Sequence, residues 1–232
     1  MRTIRHALVS LALLLPVLPV IPALADDALP SQQEFEPPGG QGRLVIVISG
    51  QTGPLNYQYI AKDLSSKGYY AVLVDGNAMF GKEIPGAERL RALIEHGRQS
   101  PHAAPGKAAV VGFSLGGGAT LTYAPRMPDL VSAVVATYPA TRHIKDPAAF
   151  VSKFQVPVLL MAGKQDTYRE CCLIETARAL SEAAKASGKA ELLQLVEYDA
   201  GHGWNIKLPK EYRADVAADS FQRTLDFLQA HP

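Results

Sequence analysis

An excess of charge of one sign is missing from this chain of 232 residues. Its 23 lysines and arginines face 22 acidic residues, for a formal charge of +1. Such a balance leaves no electrostatic footprint for nucleic acid or for an anionic membrane surface, so neither is expected as a partner. Cysteine is scarce: only Cys171 and Cys172 occur, side by side, which leaves room for at most one internal disulfide. No histidine or aspartate close to them in sequence completes a tetrahedral set, so no metal and no other cofactor is expected. Beyond residue 25 there is no long hydrophobic run, no fixed-period repeat and no low-complexity tract. No membrane-spanning helix and no repeat architecture is expected there.

The one long apolar run is at the start. Arg2 and Arg5 precede Ala7 to Ile21, and Ala23-Leu24-Ala25 places small residues at the −3 and −1 positions of a cleavage site. This pattern predicts a secretory signal peptide over residues 1–25, cut after Ala25, and a periplasmic or secreted protein. Pro16, Pro19 and Pro22 interrupt a run too short to span a bilayer, so no stable membrane anchor is expected. Its removal takes away two arginines and no acid, moving the formal charge to about −1. Residues 26–42, with Pro30, Pro37, Pro38, Gly39 and Gly40, read as an extended, partly disordered leader.

Residues 43–232 read as one α/β domain. Short β-branched runs at 44–49, 70–74, 107–112, 131–137, 156–162 and 191–197 alternate with helical patterns at 55–67, 86–99, 115–124, 170–187 and 212–230. Leu44 to Ile48 is apolar at every position, as a strand covered on both faces must be. The alternation predicts a mostly parallel sheet of about six strands with helices on both faces. Functional residues of such a sheet sit in the loops beyond the strand carboxyl ends.

One of those loops holds Gly112-Phe113-Ser114-Leu115-Gly116, with an apolar strand before it and a helix after it. Ser114 is thereby placed at a sharp strand-to-helix turn, exposed and strained, at a helix N-terminus that favours developing negative charge. Gly112 and Gly116 fit because a β-carbon would collide where chain segments pass closely. A serine hydroxyl needs a base and a group to orient it. His6 leaves with the signal, His96 and His102 fall at the wrong sheet edge, His231 is penultimate, and His143 suits a pocket wall. His202, in Gly201-His202-Gly203 after the last strand, is the expected base. Asp166, in the turn after 156–162, is the expected orienting acid; a turn-forming or helix-capping role is its alternative, and Asp199 is the competing carboxylate. The oxyanion donors are expected to be the backbone N–H groups of Leu115 and Gln51.

The chain resembles the α/β-hydrolase superfamily, and within it the dienelactone hydrolase-like branch, over residues 43–230. Gly112 to Gly117, Gly163-Lys164-Gln165-Asp166 and Gly201-His202-Gly203-Trp204 carry the resemblance, while Ser49-Gly50 stands where many relatives have His-Gly. The resemblance implies a cofactor-independent serine hydrolase of esters or lactones that works through an acyl-enzyme. Dienelactone hydrolases proper use a cysteine nucleophile, so Ser114 argues against carrying over their lactone. The family's first two antiparallel strands find no room between Asp26 and Arg43. Gly116-Gly117-Gly118 is also similar to bacterial cutinases and polyester hydrolases, although the tryptophan those enzymes offer after the fourth strand is missing.

Only Tyr138 to Gln155 separate two strands where many lipases insert a lid, so a shallow, open site is expected, with no large lid. It suits a small or soluble ester, or a polymer surface. Trp204 first, then Tyr138, Tyr168, Phe80, Tyr57, Met79 and His143, are expected pocket walls, with core packing the alternative for each. The adjacent cysteines are either buried thiols on the first turn of a helix, a vicinal disulfide, or intermolecular partners. Amide or polyester cleavage by the same residues, and a noncatalytic binding protein on the same scaffold, stay open as other readings.

Overall fold

The computed structural model describes residues 29–82, 84–207 and 210–232. The apolar segment 1–25 and its cleavage site lie outside them. Seven strands form one sheet: β1 (Gln32–Phe35), β2 (Leu44–Ile48), β3 (Tyr70–Val74), β4 (Ala108–Phe113), β5 (Val131–Thr137), β6 (Val158–Gly163) and β7 (Leu193–Tyr198), in the order β1-β3-β2-β4-β5-β6-β7. Strands β2 to β7 are parallel, and only β1 runs against its neighbour.

The side-chain period of two sorts each strand between two cores. Leu44, Ile46 and Ile48 face one side with α2 (Gly86–Gly97), α3 (Ser114–Tyr123) and α5 (Ile174–Ala186). Val45 and Val47 face the other with α1 (Gln58–Ser66) and α6 (Ala214–Ala230). Burying each such side chain contributes roughly 1.5–3 kcal/mol, so the sheet register is fixed from both faces.

The sheet has seven strands, one more than the sequence suggests. The extra strand, β1, lies in the segment read as a leader, and Gln32-Gln33-Glu34-Phe35 gives no apolar run to reveal it. It is an edge strand with one face on the core, so polar residues are tolerated there. The Tyr70 hydroxyl donates to Glu34 at 2.5 Å, Gln58 Nε2 to Gln33 Oε1 at 2.6 Å, and Ser65 Oγ to the Glu36 carbonyl at 2.7 Å. The predicted helix at 55–67 divides into a 3-10 turn at Pro54–Tyr57 and α1. The predicted helix at 170–187 begins only at Ile174, so the cysteines precede it. A short helix unseen in the sequence, α4 (Pro147–Val151), is capped by the Asp146 carboxylate, which accepts from the Ala149 N–H. It is the one helix between β5 and β6, and no lid is built there.

The winding reverses between β2 and β4. After β3 the chain returns to the opposite side of β2, which opens a crevice at the carboxyl ends of β2 and β4. Among the described residues no helix is long and apolar enough to cross a membrane. A chain beginning at Gly39 would leave the β3 edge unpaired. Size-exclusion chromatography of that chain is expected to show self-association absent from the chain that keeps β1.

Candidate active site

Ser114 sits in the crevice where the winding reverses. Its φ of 50° is in the left-handed region, a strained conformation for a residue with a side chain. Phe113 ends β4 and Ser114 opens α3, so the backbone turns sharply within one residue. The neighbouring glycines make that turn possible. A β-carbon on Gly112 would lie 2.1 Å from Thr120 Oγ1 and 2.6 Å from the Gly116 carbonyl, while one on Gly116 would lie 2.2 Å from the Ser49 carbonyl. The end of β2 therefore passes directly against the first turn of α3.

That contact fixes the other wall of the crevice. Ser49 Oγ accepts from the Gly76 N–H at 3.0 Å and donates to the Gly50 carbonyl at 3.2 Å. A β-carbon on Gly50 would stand 3.2 Å from Ser114 Cβ, so this main chain lies beside the serine. Gln51 follows it. Leu115 is the second residue of α3, so its N–H has no acceptor within the helix.

Asp166 and His202 meet because β6 and β7 stay in register beyond their ends. Lys164 N–H donates to the Tyr198 carbonyl at 2.8 Å and Gln165 N–H to the Ala200 carbonyl at 3.1 Å. Gly163 permits this, since a β-carbon there would meet the Ala200 carbonyl at 2.4 Å. Asp166 Oδ2 then lies 2.7 Å from His202 Nδ1, and His202 Nε2 lies 2.9 Å from Ser114 Oγ. The Asp166 side chain is fully buried, and its second oxygen accepts from the Tyr168 N–H at 3.1 Å. Both carboxylate oxygens are thus engaged, which orients the imidazole with its Nδ1–H on Asp166 and Nε2 toward the hydroxyl. Asp199, the competing acid, instead accepts from Gln165 Nε2 at 2.9 Å.

The expected pocket walls divide. Tyr168 stacks on the His202 ring, with centroids 4.6 Å apart and planes 11° from parallel, and it is 40% exposed. Phe80, at the end of a 3-10 turn after β3, is half-exposed. Trp204 is not a wall: it is fully buried, its Nε1–H donates to Ser220 Oγ at 3.2 Å, and it packs on Tyr138 and Tyr198. Although Trp204 neighbours His202 in sequence, Gly203, at φ 73°, turns the chain between them and sends the indole into the core. Tyr138 is likewise buried, with its edge on the His202 ring 4.9 Å away. Tyr57 and Met79 are core residues too. His143 is exposed and shares a 3.0 Å hydrogen bond with Thr122.

Two supporting residues escaped the sequence reading. Asn205 Oδ1 accepts from the Tyr138 hydroxyl, and the Asn205 carbonyl accepts from the Tyr59 hydroxyl. Nothing in the sequence distinguishes that asparagine from a loop residue. Tyr138 itself has a φ of 36°, so the aromatic layer beneath the imidazole is held in a strained backbone. The two cysteines form a vicinal disulfide, not thiols on a helix, and the fold brings them to His202 across the intervening residues 173–201.

A sheet wound in this order, with a serine turn after β4, an acid after β6 and a histidine after β7, defines an α/β-hydrolase fold. The chain belongs to the dienelactone hydrolase family, whose model matches residues 77–232. A candidate carboxymethylenebutenolidase of Yersinia pestis is 35% identical over 133 residues, covering 54% of this chain and 47% of that protein. This chain thus matches about half the length of such relatives. A candidate dienelactone hydrolase from Klebsiella pneumoniae superposes with a TM-score of 0.70 at 19% identity, covering 87% of this chain and 99% of that one. Est1E from Butyrivibrio proteoclasticus does so with 0.64 at 16%, over 85% and 94%.

Burial pushes the Tyr57 hydroxyl up to about 12 from its ordinary 10.0, and burial likewise raises Tyr138 beside it. Between those two values the unfolded chain has lost a Tyr57 proton that the folded chain keeps. The stability this contributes is complete below the lower value and is lost as pH rises through the upper one. Urea unfolding of Tyr57→Phe is expected to show a shallower fall in stability across that alkaline window than the parent chain.

Proposed function

We propose that this protein is an exported serine hydrolase that cleaves carboxylic esters or lactones through an acyl-enzyme. The observation that carries this reading is the continuous relay from the buried Asp166 through His202 to Ser114, at 2.7 and 2.9 Å. Ser114 attacks the carbonyl carbon while His202 Nε2 takes its proton, and Asp166 stabilises the resulting imidazolium. The tetrahedral oxyanion is met by the N–H groups of Leu115 and Gln51, on the two backbone segments that flank the serine. The protonated His202 then hands its proton to the leaving alcohol, and a water activated by the same nitrogen releases the acid.

The short connection through α4 favours a small or soluble ester over one needing a deep acyl tunnel. Tyr168, stacked on His202 and partly exposed, is an aromatic surface available to contact it, and Phe80 is the other expected wall residue that stays exposed. Ser114→Ala is expected to cut p-nitrophenyl acetate turnover by about a thousandfold or more with an unchanged circular dichroism spectrum. Parent-like turnover in that variant would refute the assignment. Loss of covalent labelling by a fluorophosphonate probe in the same variant separates a working triad from a binding protein on this scaffold. Esters of graded chain length, lactones, amides and a polyester film then fix the substrate class.

Export rests on Arg2, Arg5 and the apolar run to Ile21 with its small-residue cleavage site. A disulfide as the state of both cysteines suits an oxidising compartment. Mass spectrometry of the protein recovered from a bacterial periplasm or medium is expected to show a chain that begins at Asp26. An uncleaved chain held in the cytoplasm would overturn export alone.

A further inference from the structure

The Cys171–Cys172 disulfide lies between the acid turn and α5, with Cys172 buried and Cys171 partly so. Its position against the catalytic histidine is what separates it from a simple loop staple. The two sulfurs and an imidazole nitrogen of His202 all lie within 4.8 Å of one another. Contacts that do not involve the S–S bond hold this placement. The Cys171 carbonyl accepts from the Thr141 N–H at 2.7 Å and from the Arg142 N–H at 3.0 Å, tying the segment to the loop after β5. On its far side, Ile174 is buried as the first residue of α5. Because the two cysteines are joined by one peptide bond, their Cα atoms stay 3.8 Å apart whichever oxidation state the sulfurs hold.

We propose that Cys171, Cys172 and His202 form a latent site for a thiophilic divalent cation, closed while the disulfide is intact and opened by its reduction. A disulfide sulfur is a poor ligand and a thiolate a strong one, so the oxidation state decides whether the set exists. The reductant is a dithiol, which is oxidised to its own disulfide as the Cys171–Cys172 bond gains two electrons and two protons to become two thiols. A trialkylphosphine does the same, ending with water's oxygen as the phosphine oxide. A cation of the Zn²⁺ or Cd²⁺ type then displaces both thiol protons to solvent and accepts a lone pair from the His202 imidazole. Solvent completes the coordination.

The consequence for hydrolysis rests on the function proposed above. An imidazole held by the cation is withdrawn from the hydrogen bonds that link Asp166, His202 and Ser114, and no longer takes the Ser114 proton. Reduction alone therefore leaves the enzyme active, whereas reduction in the presence of the cation switches it off.

The test uses the purified protein with and without phosphine treatment, desalted and titrated with Cd²⁺. The reduced protein is expected to gain a sulfur-to-cadmium charge-transfer absorption that saturates at one ion per chain, and the oxidised protein to show none. Reduced His202→Ala should keep the absorption but bind Cd²⁺ about tenfold or more weakly. Ester hydrolysis by the reduced parent should fall by about a hundredfold with Cd²⁺ and return with a chelator. The double variant Cys171→Ser, Cys172→Ser should hydrolyse the ester with or without the ion. No absorption after reduction, or an unchanged affinity in His202→Ala, overturns the site. The absorption and affinity are read without any substrate, so a protein that hydrolyses no ester would still pass or fail this test.

Discussion

The backbone ladder that continues past the ends of β6 and β7 is the constraint on which the site depends. Two hydrogen bonds, from Lys164 and Gln165 to the carbonyls of Tyr198 and Ala200, keep the two loops paired after the regular strands stop. They set the height of Asp166 relative to His202 more tightly than either side chain could alone. The close passage of main chain at Gly163 leaves no space for any side chain at that position. With these loops paired, the imidazole faces the turn after β4, its Nε2 2.9 Å from Ser114 Oγ.

The turn after β4 is fixed from the opposite side of the sheet reversal. The end of β2 runs against the start of α3, and Ser49 ties that end to Gly76 beyond β3. The crevice is therefore bounded by main chain on the Ser114 side and by an aromatic layer beneath the imidazole. Tyr138 and Trp204 belong to that layer. They act by packing, and their hydroxyl and indole groups are satisfied by Asn205 and Ser220.

What the sequence revealed follows from how strongly each element is buried. Strands β2 to β6 are buried on both faces along nearly their whole length, so each appears as a mainly apolar run and can be placed within about two residues. β1 is an edge strand of four residues with mostly polar side chains, and its pairing with β3 is a long-range event that no local pattern announces. α4 is one turn long, and the only mark of it is Asp146 followed by Pro147, a cap and first-turn pair. Ser114, Asp166 and His202 were readable because each ends a strand in a recognisable turn. The inward turn of Trp204 was not, because it depends on a single positive φ at Gly203. The meeting of Cys171 and Cys172 with His202 was hidden for the same kind of reason: it is made by tertiary packing of one loop on another.

Trp204 is the chain's single tryptophan, and it lies one ring away from the imidazole, against Tyr138. All indole emission from this molecule thus originates in the layer supporting the proposed chemistry. Light absorbed by the surrounding phenols can be passed to that one emitter over a few ångströms. The protein consequently carries its own optical gauge of whether the platform under the histidine is dry and closely packed, with no label introduced.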